Sequence, residues 1–132
     1  MINIKSHHHS KKNFTIKSEC IDYNSMHPIF SFEHLQKDFN FKKRTELQEK
    51  HFKTFLYKIE TLSTLTWIDI IKLPRENGME KITLSIDLPK FITDDIKLQS
   101  IRFGQIERII GYKINNIFYI LYIDVNGKTY KH

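Results

Sequence analysis

The C-terminal stretch 101–132 holds three side chains, Arg108, Tyr130 and His132, whose groups bind anions or exchange protons. Arginine offers a permanent cation, histidine titrates near neutral pH, and tyrosine adds a phenol that donates, accepts or stacks. These groups act together only if the fold brings them to one place. The register of the strands that carry them therefore decides what they do.

Two short loops, Asn115-Asn116 and Asn126-Gly127, predict that register. Each separates runs rich in apolar residues, and Asn and Gly accept the positive φ that two-residue type I′ hairpins need. The stretch 101–132 is therefore predicted to form a three-stranded antiparallel meander.

Counting outward from the loops pairs Arg108 with Ile123, and Ile123 with Tyr130. Arg108, Tyr130 and His132 then share one face of the sheet, while Glu107 lies on the other. The shared face is the more apolar, so we expect it to pack against helices.

The opposite predicted face carries Lys113, Tyr122 and Lys131 and should form an exposed, aromatic and basic surface. A β-bulge at Gly104 or Gly111 would exchange some of these assignments, because one extra residue turns the following side chains over.

Two helices are predicted upstream of the meander. Thr45 and Gln48 form a capping-box pattern before a helical apolar stripe, which predicts a helix over 46–62. A second start signal at Thr66 predicts a short helix over 67–73, which Pro74 ends.

Short strands are predicted at 28–32 and 81–88, the second from its alternating apolar residues. This order is typical of an α+β domain with a helix pair packed on one face of a small antiparallel sheet. We predict one domain over 26–132 after a flexible basic arm over 1–25. His51 lies beside the apolar stripe and is expected to be solvated.

Composition fits one hydrophobic core in an intracellular protein of 132 residues. Cys20 is the only cysteine, so no internal disulfide forms. The longest apolar run, 117–123, is too short for a membrane helix, and no signal peptide is recognisable. Three adjacent histidines, 7–9, cannot converge on one metal ion. We therefore expect a soluble cytoplasmic protein with no metal and no cofactor.

The net charge of +6 is unevenly distributed, because both ends of the chain are basic and the middle is acidic. Such basic regions suit a surface that binds polyanions. Lysine as an ordinary solubilising residue explains the same composition equally well.

A helix pair, basic strands and an aromatic–histidine ending over 130–132 resemble the RelE/ParE-type toxins of bacterial toxin–antitoxin systems. The resemblance covers 28–132 and rests on the order of elements and on that ending. It implies a metal-independent endoribonuclease in which the 2′-hydroxyl attacks the adjacent phosphate, and it implies RNA, the ribosome or an antitoxin protein as partner. ParE-like members act on gyrase instead and lack the nuclease residues.

The resemblance also implies roles for individual residues. Arg108 and Arg102 would stabilise the phosphate, and His132 or Tyr130 would transfer protons or stack a base. Glu107 would be a base, although its predicted face is opposite to that of Arg108.

An alternative function is a non-enzymatic protein- or nucleic-acid-binding module of a phage, plasmid or mobile element. Its nucleic-acid surface would be formed by Lys113, Tyr122, Lys128 and Lys131, and a free edge of the final strand would allow a homodimer. Cleavage predicts that the catalytic side chains surround an open pocket. Binding alone is favoured if Arg108 is held by internal contacts.

Overall fold

The structure, a computed structural model, describes residues 21–36, 48–84 and 86–127. Within these ranges, two helices and five strands form an α+β domain, which confirms the predicted fold class. The sheet order is β1-β5-β4-β3-β2, antiparallel except for the parallel pair β1 and β5. The elements are β1 (Ile29–Ser31), α1 (Glu49–Ser63), α2 (Trp67–Lys72), β2 (Met79–Lys81), β3 (Gln99–Arg102), β4 (Arg108–Ile114) and β5 (Ile117–Asp124).

Both helices begin where their side chains satisfy free backbone donors. At the start of α1, the N–H of Gln48 donates to Nδ1 of His51 at 3.0 Å. At the start of α2, Thr66 and Asp69 form the reciprocal capping box. The predicted partner Thr45 lies outside the described residues. Among these residues no helix is long and apolar enough to cross a membrane.

The chain before and after the sheet is described only in part. Of the predicted arm 1–25, residues 1–20 lie outside the described residues, while Tyr23–Ser25 form a 3-10 turn. The predicted final strand 128–132 also lies outside them. The predicted strand 81–88 is replaced by the shorter β2, which ends at Lys81.

The β4–β5 hairpin confirms the predicted register at its tip and corrects it further along. Tyr112 pairs with Tyr119 as predicted. Only Asn115 in the loop has a positive φ, 59°, so the turn is not type I′, which needs positive φ at both residues. The loop length alone was sufficient to set the pairing nearby.

A β-bulge at Gly111 moves the rest of β5 by one residue. Gly111 pairs with Ile120 and Ile110 with Tyr122, so Leu121 is the extra residue. A Cβ at Gly111 would overlap the carbonyl oxygen of Tyr119, so this close approach requires glycine. As a result Arg108 lies opposite Asp124, and the predicted pairing of Arg108 with Ile123 is wrong.

The predicted assignment of the faces is also wrong. The helices pack on the face that carries Ile109, Phe118 and Ile120, joined after the bulge by Ile123. Trp67 lies in this core with no exposed surface. The face that was expected to meet the helices, which carries Ile110 and Tyr112, lies on the other side of the sheet.

The second face of the sheet is covered by the connection 82–98. Ile82, Ile92 and Ile96 pack against a cluster that includes Ile110 and Tyr122. The predicted exposed aromatic surface is therefore absent from this part of the sheet. Both faces of β4 and β5 are apolar, so alternation alone did not distinguish them.

Candidate functional site

Arg108 begins β4 and is 3% exposed. Its Nη1 donates to the backbone oxygens of Gln105 and Glu107, both at 3.0 Å, and lies 3.5 Å from that of Gly104. The guanidinium group therefore holds the loop between β3 and β4 in place, since it donates to carbonyls of that loop, one of which, that of Glu107, also accepts from the N–H of Phe103.

Asp124 faces Arg108 across the hairpin and is fully buried. Its Oδ1 accepts hydrogen bonds from the N–H groups of Asn126 and Gly127, at 3.1 and 3.0 Å. This is an Asx-type turn, for which an Asp two residues before Asn-Gly is a recognisable sequence signal. The row of Arg108 and Asp124 thus organises the loops at this end of the sheet.

Arg102 does lie beside Arg108, because the two are register partners on β3 and β4. Its Nη2 is 3.8 Å from Glu80, and Nη1 of Arg75 is 4.0 Å from the same carboxylate. Both distances exceed those of hydrogen bonds, so the attraction is weak. Nε of Arg102 is buried without a hydrogen-bond partner. The other two predicted catalytic residues, Tyr130 and His132, lie outside the described residues.

His51 is buried, contrary to the prediction that it is solvated. Its Nε2 lies 3.6 Å from Oε2 of Glu107, while its Nδ1 accepts from the N–H of Gln48. An accepting Nδ1 places the proton of the neutral ring on Nε2, which faces Glu107. Both ring nitrogens therefore have partners, and the pair connects the start of α1 to the loop that Arg108 holds.

Of the predicted nucleic-acid-binding residues, Tyr122 is 2% exposed beneath the connection 82–98. Burial raises the pKa of its phenol. Tyr122 is therefore part of the core rather than of a binding surface, which corrects its predicted role. Lys128 and Lys131 lie outside the described residues.

The same covered face carries a row of four aromatic rings. Tyr112 stacks on Tyr119 with a centroid distance of 5.2 Å, and His34 lies 5.3 Å from Tyr119 and 5.0 Å from Phe91. The pKa of Tyr112 is raised by burial, then by Tyr119 and Glu33. These rings pack the segment after β1 and the connection 82–98 onto the sheet.

Lys113 lies at the other end of the hairpin, beside a polar cavity of about 340 Å³. Its Nζ is 5.3 Å from the centre of the Trp67 ring, a cation–π contact. Burial lowers the pKa of Lys113, and the nearby carboxylate of Asp22 partly offsets this. The ammonium group is thus partly desolvated and remains beside a cavity.

The turn before β1 forms the opposite wall of this cavity with Asp22 and Asn24. Oδ1 of Asp22 accepts from the N–H of Asn24 at 3.1 Å, and its backbone oxygen accepts from Ser25. The amide oxygen of Asn24 is buried without a hydrogen-bond donor. Sequence reasoning missed these two residues, although Asp22 followed by Asn and Ser is a typical turn pattern.

No protein-family model, curated protein or solved structure matches this chain. The resemblance to RelE/ParE-type toxins with its RNA and antitoxin partners, and the homodimer suggested by the free edge of the final strand, remain predictions.

Proposed function

We propose that the protein is a non-enzymatic nucleic-acid-binding module whose basic segments hold a sugar-phosphate backbone. The observation that carries this proposal is the separation of charge. The described ranges contain 11 basic and 12 acidic side chains, although the whole chain has a net charge of +6. The remaining 10 basic and 3 acidic side chains lie in 1–20, 37–47 and 128–132.

Concentrated positive charge of this kind supports binding to a polyanion, because each neutralised phosphate releases counterions. The segments join the core at defined points. Residues 1–20 lead to Ile21, which lines the cavity beside Lys113. Residues 37–47 connect Gln36 to Gln48. The N–H of Gln36 donates to the backbone oxygen of Leu121, and Gln48 is the N-cap of α1.

Cleavage of RNA, the first prediction from the sequence, receives less support from the geometry. A cation that stabilises a phosphate must be able to reach it. Arg108 is buried and donates to backbone carbonyls of its own loop. Releasing it would break these hydrogen bonds within the loop, so binding without cleavage is the function that these contacts favour.

Salt-dependent binding to a single-stranded oligonucleotide tests the proposal. We expect affinity to fall steeply with salt, by about 0.7 units of log affinity per unit of log salt for each phosphate contacted. Replacing Lys5, Lys11, Lys12 and Lys17 with Gln should lower this slope by up to about 3. The matched control replaces four exposed lysines of the described core, Lys53, Lys72, Lys90 and Lys97. Equal slopes for the two variants, or no binding by the unmodified protein, would contradict the proposal.

Induced expression in growing cells distinguishes binding from cleavage. We expect cell growth and message integrity to be the same with the unmodified protein and with Tyr130→Ala or His132→Ala. Message cleavage that disappears in those variants would replace the binding proposal with the nuclease.

A further inference from the structure

We propose that the cavity between the Tyr23–Ser25 turn and the β4–β5 hairpin binds one ribonucleotide unit and so makes the module prefer RNA to DNA. The phosphate would lie at Lys113, and the 2′-hydroxyl would donate to the carboxylate of Asp22. This inference rests on the proposed function, because it names the class of nucleic acid.

The ammonium group of Lys113 provides the first half of the site. It is held over the Trp67 ring, and no ion pair joins it to a carboxylate of the described residues. Asp22 lies close enough to raise the pKa of Lys113 but forms no ion pair with it, and a partly desolvated cation of this kind attracts an oxyanion because less water must be displaced to reach it. A phosphate at this position would compensate for the hydration that Lys113 has lost.

The second half consists of hydrogen-bond acceptors that lack donors. Asp22 uses Oδ1 to cap the turn, and Oδ2 has no hydrogen bond to the described residues. The side-chain oxygen of Asn24 is buried without a donor. The Oδ2 atom of Asp22 beside a cation matches a sugar hydroxyl next to a phosphate, and the 2′-hydroxyl is present only in RNA.

The dimensions and position of the cavity agree with such a ligand. Its volume is about 340 Å³, and it is a polar depression that is largely open to solvent. Ile21, where the basic segment 1–20 joins the core, lines the same cavity.

Comparison of oligouridylate with the deoxyuridine oligomer of the same length tests the inference, because the two differ only in the 2′-hydroxyl. We expect the unmodified protein to bind the RNA about tenfold more tightly, as a hydrogen bond to a carboxylate implies. Asp22→Asn keeps the capping oxygen but replaces Oδ2 with a donor, so the ratio of affinities should fall to about one. Asp94→Asn is the matched control on the opposite face of the sheet and should keep the ratio.

Lys113→Met tests the phosphate contact separately. It should weaken binding of both oligomers roughly fivefold without changing their ratio. The control Lys97→Met, an exposed lysine of the connection 82–98, should have a smaller effect on both.

Each outcome decides between the two proposals. Equal affinity of the unmodified protein for both oligomers would overturn the cavity inference and leave the binding function intact. Absence of binding to either oligomer would overturn both. If the preference for RNA disappears in Asp94→Asn as well as in Asp22→Asn, it depends on the net charge of the protein and not on the cavity, and the proposed site would be overturned. If Asp22→Asn does not fold, unchanged amide NMR signals of residues 22–24 and 113 upon addition of the RNA would overturn it.

Discussion

The two ends of the β4–β5 hairpin differ in how their polar groups are satisfied. At the Arg108 end, the guanidinium group, the carboxylate of Asp124 and the ring of His51 all have partners within the fold. At the Lys113 end, the ammonium group has no ion pair with a described carboxylate, and the buried amide oxygen of Asn24 has no hydrogen-bond donor. A polar group with internal partners is needed for folding, whereas one without them is available for a ligand.

This contrast reverses the order of importance that residue types alone suggest. By residue type alone, Arg108, Tyr130 and His132 are better candidates for phosphate binding and proton transfer than Lys113, a single lysine on a hairpin. The contacts of Arg108 argue against such a role, because three loop carbonyls already surround its Nη1.

The largest effect is expected for Arg108→Met. It would remove the side-chain donor that holds the carbonyls of the loop between β3 and β4, together with a buried charge opposite Asp124, and lower the free energy of unfolding by about 3 kcal/mol. Urea unfolding should show a lower midpoint with an unchanged slope. Arg102→Met, made in the neighbouring register position, is the matched control and should cost less than about 1 kcal/mol because its ion pair is long and partly exposed. Similar losses of stability in both variants would show that the internal hydrogen bonds of Arg108 do not set it apart from its neighbour Arg102.

A smaller effect on stability is expected for His51, which lies at the Arg108 end of the hairpin. His51→Ala removes a buried ring and the acceptor for the Gln48 N–H, so it should cost about 1 to 2 kcal/mol. His51→Gln retains an acceptor at the third helical position, where Gln completes a capping box, and should cost less. Thermal unfolding of the two variants provides the measurement. Equal losses would show that ring packing, and not the cap, is what His51 contributes.

The sequence predicted the features that local chemistry determines. The start of α2 follows from Thr66, and the hairpin tip follows from a two-residue loop at Asn115. The predicted start of α1 at 46 is wrong, because Gln48 is extended and serves as the N-cap of a helix that begins at Glu49. The bulge was recognised only as an alternative, because it depends on how closely the backbone of Tyr119 approaches Gly111.

Other features depended on contacts between distant segments. The face that meets the helices could not be predicted, since Ile109 and Ile110 offer equally apolar sides. Lys113 was predicted to be a binding residue, but Asp22 and Asn24, which line the same cavity, come from a turn more than eighty residues earlier in the chain. No pattern in the sequence brings these positions together.

The smallest effect is expected in the titration of Lys113, at the other end of the hairpin. Burial lowers its pKa below the ordinary 10.5, while Asp22 raises it in part. Between the lowered pKa and 10.5 the unfolded chain binds more protons than the folded one, so stability relative to Lys113→Met should rise with pH in that interval. In a carbon NMR titration of the lysine side chain, the midpoint should lie below 10.5. Asp22→Asn should lower that midpoint further, because it removes the influence that raises the pKa. A midpoint at or above 10.5 would mean that Lys113 has an internal counter-ion, and the two ends of the hairpin would then be alike.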